Sequence, residues 1–171
     1  MLPPDDTVAI VAGGSHGIGR ELAGALAGRR FAVALAYLRD QGGAEGAVAE
    51  ITAAGGTAVA VRADLTDELD VERLFEETAA AFGRIDVVVH SAACGSAVVN
   101  RQAARRLRPG GAIVAVSSAE PIPPDLAERL RARDITVNGV VPGLEPPGAA
   151  HTVAELLALL DRWRGATGED A

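Results

Sequence analysis

Val8-Ala-Ile-Val-Ala-Gly13-Gly-Ser-His-Gly17-Ile-Gly19-Arg20 is the stretch of this chain that decides its fold. An apolar run leads directly into three glycines with the spacing G-x-x-x-G-x-G, and a helical pattern begins immediately behind them. Gly13 permits the sharp turn at which a buried strand ends, because it lacks a Cβ. Gly17 lets a pyrophosphate approach the backbone, and Gly19 lets the following helix pack closely on its strand. The order of strand, glycine loop and helix therefore predicts a dinucleotide-binding site.

The start of that helix adds an electrostatic reason for the same prediction. The first N–H groups of a helix have no partner within it, and its dipole places positive charge at that end. Such an end binds phosphate groups. The alternative is a glycine-rich turn that holds no ligand.

Composition limits the class of protein. The chain has 171 residues, 49% of them hydrophobic and only 3% aromatic, so Ala, Val and Leu must build one core. We expect a single domain over residues 1–171 with a flexible tail over 165–171. A net charge of −7 argues against a nucleic-acid partner. The single cysteine, Cys94, cannot form an internal disulfide and indicates a cytoplasmic protein. The apolar runs are too short for a membrane span, and ligand spacing for a metal site is lacking.

Apolar patterning predicts alternating strands and helices. Strands are expected at residues 8–12, 31–37, 57–62, 85–90, 112–117 and 135–141. Helices are expected between them, with Thr66 or Asp67 as one N-cap and Leu69 on an apolar face. Thr152-Val-Ala-Glu155 has the pattern of a capping box that opens the last helix. This alternation predicts an α/β fold, a Rossmann-like doubly wound parallel sheet of about six strands with helices on both faces.

Five segments resemble the short-chain dehydrogenase/reductase family, and the likeness runs from about Thr7 to Gly143. They are the glycine loop at residues 12–19, the Asp-containing turn at 63–67, the strand and turn at 85–93, the strand leading to a serine at 110–118 and the Pro-Gly strand end at 134–143. The resemblance implies the fold and a nicotinamide cofactor. It also implies an adenine site at Asp64 and a nicotinamide site beside Pro142.

The resemblance further implies which residues bind the cofactor. They are Gly13, Ser15, His16, Gly17, Ile18, Gly19, Tyr37, Arg39, Asp64, Leu65, Ser91, Ala92, Pro142 and Gly143. Tyr37 stands where family members most often have an acid that binds a ribose hydroxyl, and His16 and Arg39 can reach a phosphate. We therefore expect NADP rather than NAD, although Asp40 leaves NAD open.

The chain departs from the family in its catalytic residues. Family members carry a Tyr-x-x-x-Lys pair in the helix that follows the serine, which maps to Ser118. All 16 basic residues here are arginines, and Tyr37 is the one tyrosine. The resemblance implies Ser118 as the catalytic serine and Asn100 in place of the asparagine that family members have in the preceding helix, and His90 is the third candidate catalytic residue. His90 is expected at a strand end where imidazole can exchange a proton, or else it caps a loop. Ser118 either holds a substrate carbonyl or merely ends a strand.

These observations favour an NADP(H)-binding oxidoreductase that acts on a small carbonyl compound with a non-standard proton donor. One alternative is a non-catalytic dinucleotide-binding module or partner subunit, and another is a lyase or cyclase without redox turnover. We expect a small-molecule substrate and no nucleic-acid or membrane partner. A homodimer is expected rather than the family's usual tetramer, because the helices that build the tetramer are short here and the sixth strand leaves an open edge.

Overall fold

The structure, a computed structural model, describes residues 6–91, 95–116, 122–140 and 148–167. Within these residues six strands alternate with six helices. The strands are β1 (Thr7–Ala12), β2 (Phe31–Tyr37), β3 (Thr57–Arg62), β4 (Val87–Ser91), β5 (Ala112–Val116) and β6 (Thr136–Val140). The helices are α1 (Gly17–Ala27), α2 (Gln41–Ala53), α3 (Glu68–Phe82), α4 (Ser96–Arg106), α5 (Pro124–Arg131) and α6 (Gly148–Thr167).

The strands form one parallel sheet in the order β3-β2-β1-β4-β5-β6. β1 pairs with β2 from Thr7 opposite Phe31 to Ala12 opposite Ala36, and on its other side it pairs with β4. The strand order therefore reverses between β1 and β4, and all carboxyl ends lie along one edge of the sheet. This confirms the predicted doubly wound fold and places the expected ligand position at the carboxyl ends of β1 and β4.

The core lies in two layers, one on each face of the sheet. Val87 and Val89 pack with α1, α2 and α6, whereas Val88 packs with α3, α4 and α5. Side chains of a strand alternate between faces, so this division also decides where the neighbouring His90 points. None of the described helices is both long enough and apolar enough to cross a membrane.

The outer strands are less covered than the central ones. β6 is at one end of the sheet, and Val137 on it is 38% exposed. Among the described residues no strand pairs with its outer edge. The expected homodimer is consistent with an uncovered edge of this kind and stays a prediction.

Two of the expected helical features are wrong. Leu69 is 74% exposed, because the buried positions of α3 are Val71, Leu74, Phe75 and Thr78, and Leu69 does not share their face. Thr152 lies inside α6, which begins at Gly148, so the capping-box pattern does not mark the helix start. Ala149 and Ala150 favour a helix, and this propensity extends α6 upstream of the expected cap.

The other boundaries differ only slightly from expectation. β2 and β3 have the predicted limits, and Asp67, not Thr66, caps α3 with bonds to two backbone N–H groups. β4 begins two residues later than expected and continues through Ser91. α6 continues to Thr167, into the segment expected to be a tail. One side of α6 packs into the core, since Val153, Leu156, Leu157, Leu160 and Trp163 are all buried.

A buried carboxylate ties together the amino ends of the three central strands. Asp86 is fully buried, its Oδ2 accepts the Val8 N–H at 2.7 Å, and its backbone carbonyl accepts the Ala112 N–H at 2.9 Å. Arg84 forms an ion pair with the same carboxylate at 3.1 Å, and Arg108 forms a second one. The two arginine charges and the Val8 N–H therefore compensate the burial of this carboxylate.

Replacement of Asp86 by Ala should lower the free energy of unfolding by about 3 kcal/mol, because two arginines and one buried N–H lose their partner. Urea unfolding measures the effect. The exposed Asp125 on α5 provides the matched control, and its replacement by Ala should leave stability nearly unchanged. Equal stability of the two variants would show that Asp86 does not hold these strands together.

Candidate cofactor-binding and active site

The glycine loop between β1 and α1 adopts a backbone that only glycine accepts readily. Gly13 has φ +87° and Gly17 has φ +55°, both in the left-handed region. A Cβ placed on either would meet no atom of the described residues within 4 Å. The space above the loop is therefore open, as a bound pyrophosphate would require.

Gly19 is glycine for a different reason. A Cβ on Gly19 would overlap the carbonyl oxygen of Gly13 and lie 3.2 Å from the Gly14 Cα. The first turn of α1 thus packs directly on the backbone of the loop, and any side chain at this position would force the helix away from β1. This close packing fixes where the helix N-terminus points.

The N-terminus of α1 is left uncapped, unlike those of the two following helices. In the part of the chain that the structure describes, the N-cap residue His16 gives its helix no side-chain hydrogen bond. Asp40 caps α2 by accepting the Gly43 N–H at 2.9 Å, and Asp67 caps α3. The N–H groups and positive dipole end of α1 are therefore left for an anion.

A first cleft of about 470 Å³ opens between the carboxyl ends of β1, β2 and β3. Its volume lies in the range of about 300–1,000 Å³ that is usual for small-molecule sites. We call it the adenosine-side cleft. Its lining residues are Gly13, Ser15, His16, Ala36, Tyr37, Leu38, Arg39, Asp40, Ala63, Asp64, Leu65 and Thr66. It brings together the predicted residues of the glycine loop, the β2 end and the Asp64 turn.

Asp64 and Arg39 give the adenosine-side cleft one carboxylate and one exposed cation. Asp64 Oδ1 accepts the Thr66 hydroxyl at 2.6 Å and the Thr66 N–H at 2.9 Å. These two hydrogen bonds lower the pKa of Asp64 from its ordinary value, and the bond from the Thr66 hydroxyl has the larger effect. The positive charge of Arg39 lowers the pKa further. Asp64 is therefore a carboxylate with a fixed orientation at neutral pH. Thr66 was expected only as a helix cap, although its spacing from Asp64 is that of an Asx turn.

A second cleft of about 320 Å³ lies on the other side of the glycine loop, and we call it the β4-side cleft. Its lining residues are Val11, Ala12, Gly13, His16, Ile18, Gly19, Leu22, Val89, His90 and Val116. Gly13 and His16 line both clefts. The two clefts therefore adjoin at the glycine loop, one at the end of β2 and the other at the ends of β4 and β5, and we call them together the cofactor groove.

His90 and Asn100 form a buried pair behind this groove. They are 1% and 8% exposed, and His90 Nε2 lies 2.9 Å from Asn100 Oδ1. His90 alternates with Val89 along β4, so its ring is on the α4 side of the sheet. An amide oxygen only accepts, so with this amide orientation the Nε2–H of His90 is the donor. The structure thus brings together two of the three predicted catalytic residues.

The remaining predicted residues are not placed. Ser118, Ala92, Pro142 and Gly143 lie outside the described residues, and Ser91 is described only as the last residue of β4. Leu38 and Val116 line the two clefts and were not anticipated, because only the strand pairing shows which side chains border the groove. No cluster of three or more His, Cys, Asp or Glu side chains suited to a metal ion occurs within the described ranges.

Comparison with known proteins supports this geometry. An uncharacterized oxidoreductase of Methylorubrum extorquens is 31% identical in an alignment that is 194 residues long with its gaps and covers 89% of this chain and 78% of that protein. A 3-oxoacyl-[acyl-carrier-protein] reductase of Synechocystis is 42% identical over 85 residues, which cover 50% of this chain and 34% of that protein. The chain thus matches about three quarters of the first relative but only a third of the second.

Solved structures have a similar fold over most of the chain. A dehydrogenase/reductase from Sinorhizobium meliloti has a TM-score of 0.71 at 30% identity, covering 92% of this chain and 87% of that one. A short chain dehydrogenase from Burkholderia cenocepacia, solved in complex with NADP, has a TM-score of 0.69 at 29% identity, covering 91% and 82%. Residues 7–108, more than half of the chain, match the short chain dehydrogenase family. The protein therefore belongs to the short-chain dehydrogenase family of oxidoreductases.

Proposed function

We propose that the protein binds NADP(H) in the groove across the glycine loop and reduces a small carbonyl compound with a proton donor other than tyrosine. The observation that carries the proposal is the uncapped start of α1 between two clefts that share Gly13 and His16. A dinucleotide has two nucleoside halves joined by a pyrophosphate, and this groove offers two clefts joined by an anion-binding helix end.

The residues present fit each part of the cofactor. The first turn of α1 would bind the pyrophosphate, and Gly13 and Gly17 leave the space above the loop open. In the adenosine-side cleft, the Asp64 carboxylate is oriented by Thr66 and would accept a hydrogen bond from the adenine amino group. The nicotinamide half would lie in the β4-side cleft. When bound, the cofactor supplies the hydride.

The end of β2 supports NADP over NAD. Tyr37 ends the strand and brings no charge, and the exposed Arg39 follows in the same cleft. Asp40 also lines the cleft, but its carboxylate accepts the Gly43 N–H as the cap of α2. Arg39 is therefore available to bind a 2′-phosphate, whereas the carboxylate of the neighbouring Asp40 caps α2. The structural neighbour from Burkholderia cenocepacia is likewise a complex with NADP.

The proton must come from a group other than the family's Tyr and Lys pair. The chain has no lysine, and Tyr37 lies at the end of β2 in the adenosine-side cleft, away from the ends of β4 and β5. Reduction of a carbonyl produces an alkoxide that needs a hydrogen-bond donor. We propose two donors. One is water held by Ser118, and the other is His90 as an imidazolium, which would donate from Nδ1 because its Nε2–H is donated to Asn100.

The missing pair equally favours a second candidate, a module that binds the dinucleotide without turnover. Loss of one general acid costs roughly 10²–10⁴-fold in rate, which lowers activity without abolishing it. Loss of NADPH absorbance with a panel of carbonyl compounds separates the two functions, since the module would bind NADPH and never oxidise it.

Fluorescence titration should show tighter binding of NADPH than of NADH. Replacement of Arg39 by Gln should weaken NADPH binding about tenfold and leave NADH binding unchanged, because one charge-assisted hydrogen bond to the 2′-phosphate is lost. Arg131→Gln, an exposed position on α5, provides the control. Equal or tighter binding of NADH would refute the phosphate preference, and binding of neither nucleotide would refute the site.

Once a substrate is identified, His90→Gln and Ser118→Ala should each lower kcat by at least about tenfold, as expected for loss of a general acid or its water. Tyr37→Phe should leave kcat nearly unchanged, because that ring lies on the adenosine side. Thermal melting of each variant checks that the buried His90 has not simply destabilised the fold. A Tyr37→Phe variant as impaired as the other two would overturn the assignment. Unchanged rates for both His90 and Ser118 variants would assign the proton to bulk solvent.

A further inference from the structure

The side chains of Ser15 and His16 form a hydrogen-bonded pair in the glycine loop. Ser15 Oγ lies 2.9 Å from His16 Nδ1. Ser15 is only 4% exposed, whereas His16 is an exposed residue. Both residues line the adenosine-side cleft. A buried hydroxyl thus orients an imidazole that remains accessible to a ligand in this cleft.

The contact between the two side chains is compatible with both the neutral and the protonated imidazole. A serine hydroxyl can donate to a neutral Nδ1 and accept from a protonated one. Nε2, the second ring nitrogen of His16, has no hydrogen-bond partner among the described residues. The imidazolium would therefore keep its bond to Ser15 and still present one charged N–H group to a ligand.

The charged groups near His16 do not form an ion pair with it. The titratable groups that line the two clefts with His16 or follow it on α1 are Tyr37, Arg39, Asp40, Asp64, His90, Arg20 and Glu21. Asp40 caps α2, and the Asp64 carboxylate accepts the hydrogen bonds of Thr66. Within the described ranges no carboxylate pairs with His16. An anionic ligand in the cleft would therefore be the group that stabilises the imidazolium.

The 2′-phosphate of the proposed cofactor is an anion of the required kind. The second pKa of a phosphate monoester is about 6, so the group is mainly a dianion at neutral pH. Arg39 contributes one permanent positive charge to the adenosine-side cleft, and the chain has no lysine that could contribute another. His16 lines the same cleft, and the charge of an imidazole changes between about pH 5 and pH 8. The cleft thus combines one permanent cation with one that depends on pH.

We propose that His16, positioned by Ser15, is a proton-dependent ligand of the 2′-phosphate, so that the preference for NADP over NAD increases as the pH falls from about 8 to about 6.5. This rests on the proposed function, and it adds regulation to that same site. Binding of NADP⁺ takes up a proton at His16, because the phosphate dianion stabilises the imidazolium. NAD⁺ has a hydroxyl in place of this phosphate, and its binding takes up no proton there. Ser15 is a positioning residue, since it acts through the imidazole.

Calorimetric titration with NADP⁺ and with NAD⁺, in two buffers of different ionisation enthalpy at about pH 7.5, counts the protons taken up on binding. The wild type should take up part of a proton with NADP⁺ and none with NAD⁺. His16→Gln should abolish the uptake and weaken NADP⁺ binding about fivefold at about pH 6.5, with a smaller effect at about pH 8 and none on NAD⁺.

Two further variants separate charge from position. His16→Arg, which carries a permanent charge, should bind NADP⁺ tightly at both pH values without proton uptake. Ser15→Ala should reduce the uptake with NADP⁺ and leave NAD⁺ binding unchanged, because the imidazole loses its orientation and not the glycine loop its backbone. Thermal melting of Ser15→Ala checks that the change at this buried position has not altered the fold.

The proposed function and the role of His16 fail in different ways. Binding of neither nucleotide would refute the proposed function and the role of His16 together. NADP⁺ binding with the same proton uptake in the wild type and in His16→Gln would overturn the role of His16 alone, because another group would then titrate. Equal uptake with NADP⁺ and NAD⁺ would also overturn it, since the proton would not depend on the 2′-phosphate. Undiminished uptake in Ser15→Ala would rule out the positioning role of Ser15.

Discussion

The contact between Gly19 and the Gly13 carbonyl is the constraint on which the rest of the site depends. Because no side chain separates them, the first turn of α1 lies directly on the loop that ends β1. That position aims the N–H groups of α1 across the switch point of the sheet, where β1 lies between β2 and β4. The two clefts on either side of the loop follow from the same arrangement. A single Cβ at residue 19 would move the helix and alter both clefts.

The two ends of the sheet differ in structure: polar contacts join the elements at the amino ends of the strands, and clefts lie at the carboxyl ends. At the amino ends, Asp86 joins β1, β4 and β5, and Trp163 of α6 donates its Nε1–H to the Gly110 carbonyl at 2.8 Å. Arg164 stacks over the Phe31 ring at 4.2 Å and donates to Thr7 Oγ1 at 3.1 Å. The amino ends are thus closed by polar ties between elements distant in sequence. The open clefts lie at the opposite, carboxyl ends of the strands.

Sequence patterns predicted best those features that depend only on residues adjacent in the sequence. The continuous apolar run at residues 31–37 predicted β2 with its observed limits, because a parallel strand inside a sheet is buried on both faces. β3 also has its predicted limits, although it lies at the edge of the sheet and is only partly buried. α3 ends at Gly83 with φ +83°, the left-handed conformation in which glycine commonly ends a helix. Local patterns misled at Thr152, where a capping sequence lies inside a longer helix. The pairing of His90 with Asn100 depends on how distant segments pack, which no local pattern contains.

We propose that the start of α1 binds the pyrophosphate of NADP(H) and that Arg39 and His16 lie at the 2′-phosphate. Phosphorus NMR of the protein with bound NADP⁺ tests both parts at once, because the pyrophosphate and the 2′-phosphate give separate resonances. Both groups should shift on binding, and the pKa of the 2′-phosphate should fall below its value in the free nucleotide, since the guanidinium of Arg39 favours its dianion. Pyrophosphate resonances that stay at their free positions in the presence of excess protein would contradict it.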